Sequence, residues 1–141
     1  MQPQINADER RLHAISETVI GCAFTVSNTL GCGFLEKVYE NALAYEIRQA
    51  GLEVELQKHL AVHYRGVLVG EYCADMVVAG SVLVELKASK AVDESHLAQC
   101  LNYLRVTNLR LGLVLNFGEP KVQVKRIVNK FYQRSSAFIC G

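Results

Sequence analysis

The segment that most constrains this chain runs Ala74-Asp75-Met76-Val77-Val78, turns at Gly80-Ser81, and continues Val82-Leu83-Val84-Glu85-Leu86-Lys87. Its Val- and Leu-rich arms read as a β-hairpin. One Asp, one Glu and one Lys interrupt arms that are otherwise apolar, and a charge inside an apolar strand is costly unless something pairs with it. Side chains alternate faces along a strand, so Glu85 and Lys87 share a face. A three-residue Ala79-Gly80-Ser81 loop sets Asp75 opposite Glu85, with Cβ atoms about 5 Å apart. Met76, Val78, Val82, Val84 and Leu86 then form the other, wholly apolar face. A two-residue turn would instead send Asp75 to that face. Two carboxylates and an ammonium on rigid strands suit a divalent cation and attack on a phosphate. The plainer alternative is an amphipathic hairpin whose charged face is wet.

The rest of the chain supplies layers for this hairpin. Asp8 to Leu30 reads as a helix, with Leu12, Ile15, Val19, Cys22/Ala23 and Val26 at helical spacing and Gly31 and Gly33 as its stop. A second helix spans Leu35 to Ala50, with Val38, Ala42, Tyr45 and Ile47 assigned to its apolar side and Gly51 ending it. Glu53 to Tyr64 and Val67 to Ala79 read as strands joined at Arg65-Gly66, the second bulged near Gly70. Val82 to Ala88 is the third strand. Asp93 is a candidate N-cap for a helix reaching about Val106. Leu111 to Asn116 is nearly all apolar, as a strand covered on both faces would be. Gly118-Glu119-Pro120 turns the chain into a last strand, Val122 to Val128. The order predicts an α/β sandwich around a mixed sheet. We read one domain over residues 1–141, with its core at about 15–128. The tail from Asn129 is expected to be loosely attached, with Phe131, Tyr132, Phe138 and Ile139 able to dock.

Composition narrows the function classes. At 141 residues, half of them hydrophobic and 21% charged, the chain is long enough for a real core and ordinary for a globular domain. No apolar run approaches the ~20 residues of a membrane span. Met1 to Leu12 is polar, unlike a secretory signal. Cys22, Cys32, Cys73, Cys100 and Cys140 form no CxxC pair, which suits a reduced, cytoplasmic setting. Neither they nor the histidines have zinc-ligand spacing. A net charge of +1 argues against non-specific coating of nucleic acid. A local basic rim would still serve a nuclease. Its candidates are Lys87, Lys90, Arg105 and Arg110, then the denser group Lys121, Lys125, Arg126, Lys130 and Arg134, which reads equally as solvated surface.

Further candidates flank the hairpin. Gln99 and Tyr103 are four apart and share a face of the third helix. Gln99 suits a phosphate, a base or a metal-bound water, and Tyr103 a stacked base or a phosphate; both also fit an ordinary helix surface. Glu36 lies in the first turn of the second helix, where the helix dipole favours a carboxylate whatever its function. Tyr39 and Glu40 lie on roughly the same side. His59, His63 and His96 read as surface or strand histidines before general bases, although His96 falls one turn before Gln99. Cys73 and Cys100 read as buried hydrophobes, since a nucleophilic thiol needs a base and an orienting group. Gly31-Cys32-Gly33 is too short for a phosphate loop.

Gly33-x-x-Glu36-x-x-Tyr39, then Asp75, Glu85-Leu86-Lys87 and Gln99-x-x-x-Tyr103, resembles the GxxExxY protein family. That family is similar to the PD-(D/E)XK nuclease superfamily, and the Gln-x-x-x-Tyr element to its RecB-like branch. The match runs from about Ile15 to Val128. The residue before Asp75 is Ala74 rather than Pro, which is not a ligand. The resemblance implies a restriction-endonuclease-like α-β-β-β-α-β core with an extra N-terminal helix. It implies that Asp75, Glu85 and the Leu86 carbonyl hold Mg²⁺ or Mn²⁺, completed by Glu36. Lys87 would position the attacking water, and Gln99 and Tyr103 the strand being cut. The implied reaction is hydrolysis of DNA, with RNA as the second choice, to a 5′-phosphate and a 3′-hydroxyl. A homodimer would let so small a domain cut both strands. The rivals are a non-catalytic nucleic-acid-binding or protein-interaction module on the same fold, and a small-molecule binder.

Overall fold

The structure is a computed structural model and describes residues 3–132. Helix α1 spans Pro3–Leu30, α2 Glu36–Gln49 and α3 Glu94–Thr107. The strands are β1 Val54–Tyr64, β2 Val67–Val78, β3 Val82–Lys87, β4 Leu111–Asn116 and β5 Gln123–Val128. They form one sheet in the order β1-β2-β3-β4-β5. Only β3 and β4 pair in parallel, joined through α3, so the sheet is mixed. Helix α1 starts earlier than the spacing from Asp8 suggests.

Two apolar layers hold the sheet. On one face Ile15, Val19, Ala23 and Val26 of α1 and Tyr39, Leu43 and Ile47 of α2 pack on Met76, Val84, Leu86, Leu113 and Leu115. On the other, Cys100 and Leu104 of α3 pack on Ala74, Val77, Leu83 and Val114. Strand β4 is buried along its whole length, as its unbroken apolar run requires. Gly112 lets α3 approach: a Cβ there would meet the Cys100 sulfur at 2.9 Å.

The buried stripe of α2 agrees with the expected one only in part. Ile47 is fully covered as expected, but Val38 is 39% and Tyr45 60% exposed, and Tyr39 and Leu43 are fully covered in their place. Both sets recur at helical spacing. The second wins because Tyr39 stacks on Phe117, with ring centroids 4.7 Å apart. Its hydroxyl donates to the Gly31 carbonyl and accepts from the Phe34 N–H, closing the α1–α2 turn. Tyr39 therefore holds the loop that leads to Glu36.

The bulge near Gly70 is present, since Val62 pairs with Gly70 but His63 with Leu68. Beyond β5 the chain is anchored by buried Asn129, whose side-chain amide donates to the Leu104 and Leu109 carbonyls. Phe131 lies against Arg105 and Tyr132 against Arg110. Phe138, Ile139, Cys140 and Arg134 fall outside the described residues. The four cysteines among the described residues are free. Among the described residues, no helix is long and apolar enough to cross a membrane.

Candidate active site

The β2–β3 hairpin adopts the three-residue turn. Val78 pairs with Val82, Val77 with Leu83 and Met76 with Val84, so the next positions are Asp75 and Glu85. There the backbone ladder stops and side chains replace it. The Asp75 N–H donates to the Glu85 carboxylate at 3.2 Å, and the Leu86 N–H donates to the Asp75 carboxylate at 2.8 Å. A strand residue directs its N–H and C=O to the same edge. The Leu86 carbonyl thus leaves toward the gap where the two strands part.

A second irregularity meets the first. Leu56 packs with the α1/α2 layer but Leu60 with the α3 layer; Met76 and Ala74 divide in the same way. Residues an even number apart should share a face, so β1 and β2 both slip by a residue between these pairs, at Gln57 and Asp75, which leaves their mutual register unchanged. Gln57 has the left-handed φ of 50° that such a slip requires. Its side-chain amide donates to Glu40 at 2.8 Å, and its carbonyl accepts from the Cys73 thiol. Glu40, buried in α2, also takes Lys37 at 2.7 Å.

Over the parted strands lies a cavity of about 140 Å³ lined by Glu36, Asp75, Glu85, Lys87, His96 and Gln99, with Tyr72, Cys73, Cys100 and Val114. The expected residues thus converge from four elements: Glu36 from α2, Asp75 from β2, Glu85 and Lys87 from β3, and Gln99 from α3. Tyr103 does not line this cavity. Its ring stacks on Tyr72 with centroids 3.6 Å apart, and it borders a neighbouring open groove with Gln99, Asn102, Val62 and Val106. His59 faces Glu71 on the exposed strand surface and does not line the cavity. Cys73 is exposed rather than buried, because the slip turns it out of the core.

The electrostatics follow from burial and crowding. Burial pushes the Glu85 carboxyl up to about 7, and the Glu36 and Glu40 charges add to this against the Asp75 N–H bond and Lys87. Asp75 is raised mainly by burial, opposed by its Leu86 bond. Glu36 is raised by burial and then by Asp75. Burial pushes the Cys100 thiol up to about 12, which leaves it unreactive as a nucleophile. Three carboxylates that resist ionising around one cavity form a cation-seeking set of hard oxygen donors. Asp75 and Glu85 each hold a backbone N–H, and among the described residues no three His, Cys, Asp or Glu side chains stand together as a ready metal cage.

Sequence reasoning missed Gln57. A lone Gln in a strand carries no signal, and only the coincidence of two slips brings it between Glu40 and Cys73. It noted Glu40 but not its burial, which the carboxylate tolerates through its bonds to Lys37 and Gln57.

A mixed sheet between helices, with Asp, Glu and Lys gathered where its central hairpin parts, defines a nuclease-type fold. The family comparison agrees. The model of the PD-(D/E)XK nuclease superfamily matches residues 13–127, and the chain belongs to that superfamily. No curated protein and no solved structure matches it significantly.

Proposed function

We propose that this chain is a metal-dependent nuclease that hydrolyses phosphodiester bonds of DNA, with RNA as the second substrate, leaving a 5′-phosphate. The observation that carries the reading is the convergence of Asp75, Glu85 and Lys87 on one small polar cavity at parted strands. Asp75 and Glu85, with the Leu86 carbonyl and Glu36, are the donors that would hold Mg²⁺ or Mn²⁺. Such an ion supplies a Lewis acid for the phosphoryl oxygen and lowers the pKa of a bound water. The Lys87 ammonium orients the attacking water and offsets charge that builds on the phosphate. Gln99 contacts the strand at the cavity mouth. Tyr103 acts one step further out, through the face of Tyr72 or along the adjoining groove.

End-labelled single- and double-stranded DNA, incubated with Mg²⁺ or Mn²⁺, tests this. Asp75→Ala, Glu85→Ala and Lys87→Ala should each abolish cutting while circular dichroism stays native. Cutting at the wild-type rate in all three would overturn the assignment. A second reading, a binding module without catalysis, draws on the absence of a preformed cage among the described residues. Calorimetric titration separates the two: the module predicts no heat with Mg²⁺ or Mn²⁺, the nuclease a saturable one that Asp75→Ala removes.

A further inference from the structure

We infer that His96 is a phosphate-binding residue of this cavity, presenting its Nε2–H to a non-bridging oxygen of the bound strand; the inference rests on the nuclease reading. His96 lines the cavity beside Glu36, Glu85 and Lys87. Its Nδ1 is the one buried side-chain polar atom among the described residues with no hydrogen-bond partner. Left unpaired, that atom carries a desolvation cost whether it bears a proton or a lone pair. Buried as it is, Nδ1 is closed to a ligand, and Nε2 is the ring nitrogen left to meet one. The Nε2–H tautomer and the imidazolium both donate from that atom.

Position and charge say what it meets. His96 precedes Gln99 by three residues on α3, so the two side chains stand one above the other on one helix face. A phosphate entering this cavity faces Glu36, Asp75 and Glu85. It needs donors on the opposite wall, and Lys87 alone is a single point charge. Asp93, the helix N-cap, is already committed to the Ser95 N–H at 2.8 Å. His96 and Gln99, both on α3, thus add donors to a cavity whose carboxylates come from α2, β2 and β3.

The test compares three substitutions. Gln places an amide N–H near the Nε2 position, Asn stops near Nδ1, and Ala removes both. Loss of a hydrogen bond to a charged oxygen should lower kcat/KM about 10- to 100-fold in His96→Ala and His96→Asn, with His96→Gln recovering most of it. A purely structural role would not rank Gln above Asn in this way. The second readout needs neither metal nor turnover. A thymidine dinucleotide titrated into ¹⁵N-histidine-labelled protein should shift the His96 Nε2 resonance. A shift that saturates supports the inference even if the chain cuts nothing. An unmoved resonance, with His96→Ala cutting within about twofold of wild type, would overturn it and leave a Lys87-dependent nuclease standing.

Discussion

Glu85 carries the sharpest consequence of its surroundings. It is 8% exposed on a central strand, and burial holds its carboxyl near 7 against an ordinary value of 4.5. A carboxyl raised on folding binds its proton more tightly in the native state than in the unfolded one. Its contribution to stability is thus complete below about 4.5 and is lost as pH rises through about 7. The size is about 3 kcal/mol between those limits. Thermal melts of the metal-free protein should fall from pH 5 to pH 8, and Glu85→Gln should flatten that fall. An equally steep fall in Glu85→Gln would assign it to another group. Gln57 is the neighbour to perturb next. Gln57→Leu removes its bond to Glu40 and leaves that buried carboxylate with Lys37 alone, which should cost about 1–3 kcal/mol. Chemical denaturation measures this directly.

Among the elements, the end of β4 fixes the end of β3. Asn116 is fully buried; its side-chain oxygen accepts from the Ser89 and Gly118 N–H groups and its amide donates to the Ser89 carbonyl. The Phe117 N–H donates to the Lys87 carbonyl at 2.8 Å. The chain is therefore clamped directly after Lys87. Asn116→Ala would strand three backbone groups, a loss of about 3 kcal/mol and a melting shift on the order of 10 °C. Cutting should weaken as well, because Lys87 loses its anchor. Gly118→Ala should do the same from the other side, since a Cβ would stand 1.8 Å from the Ser89 carbonyl oxygen. Native melting in either variant would remove the clamp from the account. The clamp was not legible in the sequence, where Asn116 reads only as the polar end of an apolar strand. What was legible came from period and turn chemistry. The hairpin register follows from one apolar face, and Asp75 and Glu85 follow from the register. The Asp93 cap, the covered strand β4 and the helix-strand order follow in the same way. What escaped depends on tertiary competition. The slip at Gln57 and Asp75 is invisible to a strict alternation, and the sequence places Tyr39 only beside Glu36, because its partner Phe117 lies far along the chain.

At the scale of the whole molecule, the charge of +1 is spread so that little of it serves the cavity. Strand β5 and its flanks carry Lys121, Lys125, Arg126 and Lys130, yet β5 is the sheet edge, two strands from β3. Arg126 turns toward Ser16 and Glu17 of α1, and Arg110 pairs with Glu9 at 3.0 Å. Lys37, near the site, is held by Glu40. Among the described residues, Lys87 is the only Lys or Arg lining the cavity. On the proposed nuclease reading, hydrogen-bond donors and a bound cation would then supply most of the hold on a phosphate. Each phosphate neutralised by Lys or Arg adds about −0.7 to the salt slope of single-strand binding. With two or three such contacts, log K against log salt should fall with a slope of about −2 or shallower. Fluorescence anisotropy of a labelled strand with catalytically silent Lys87→Ala and with wild type measures both the slope and its change. Replacing Lys121, Lys125 and Lys130 together by Ala should leave affinity within about twofold. A slope steeper than about −4, or a large loss in the triple variant, would move the nucleic-acid path from the parted hairpin to the β5 edge.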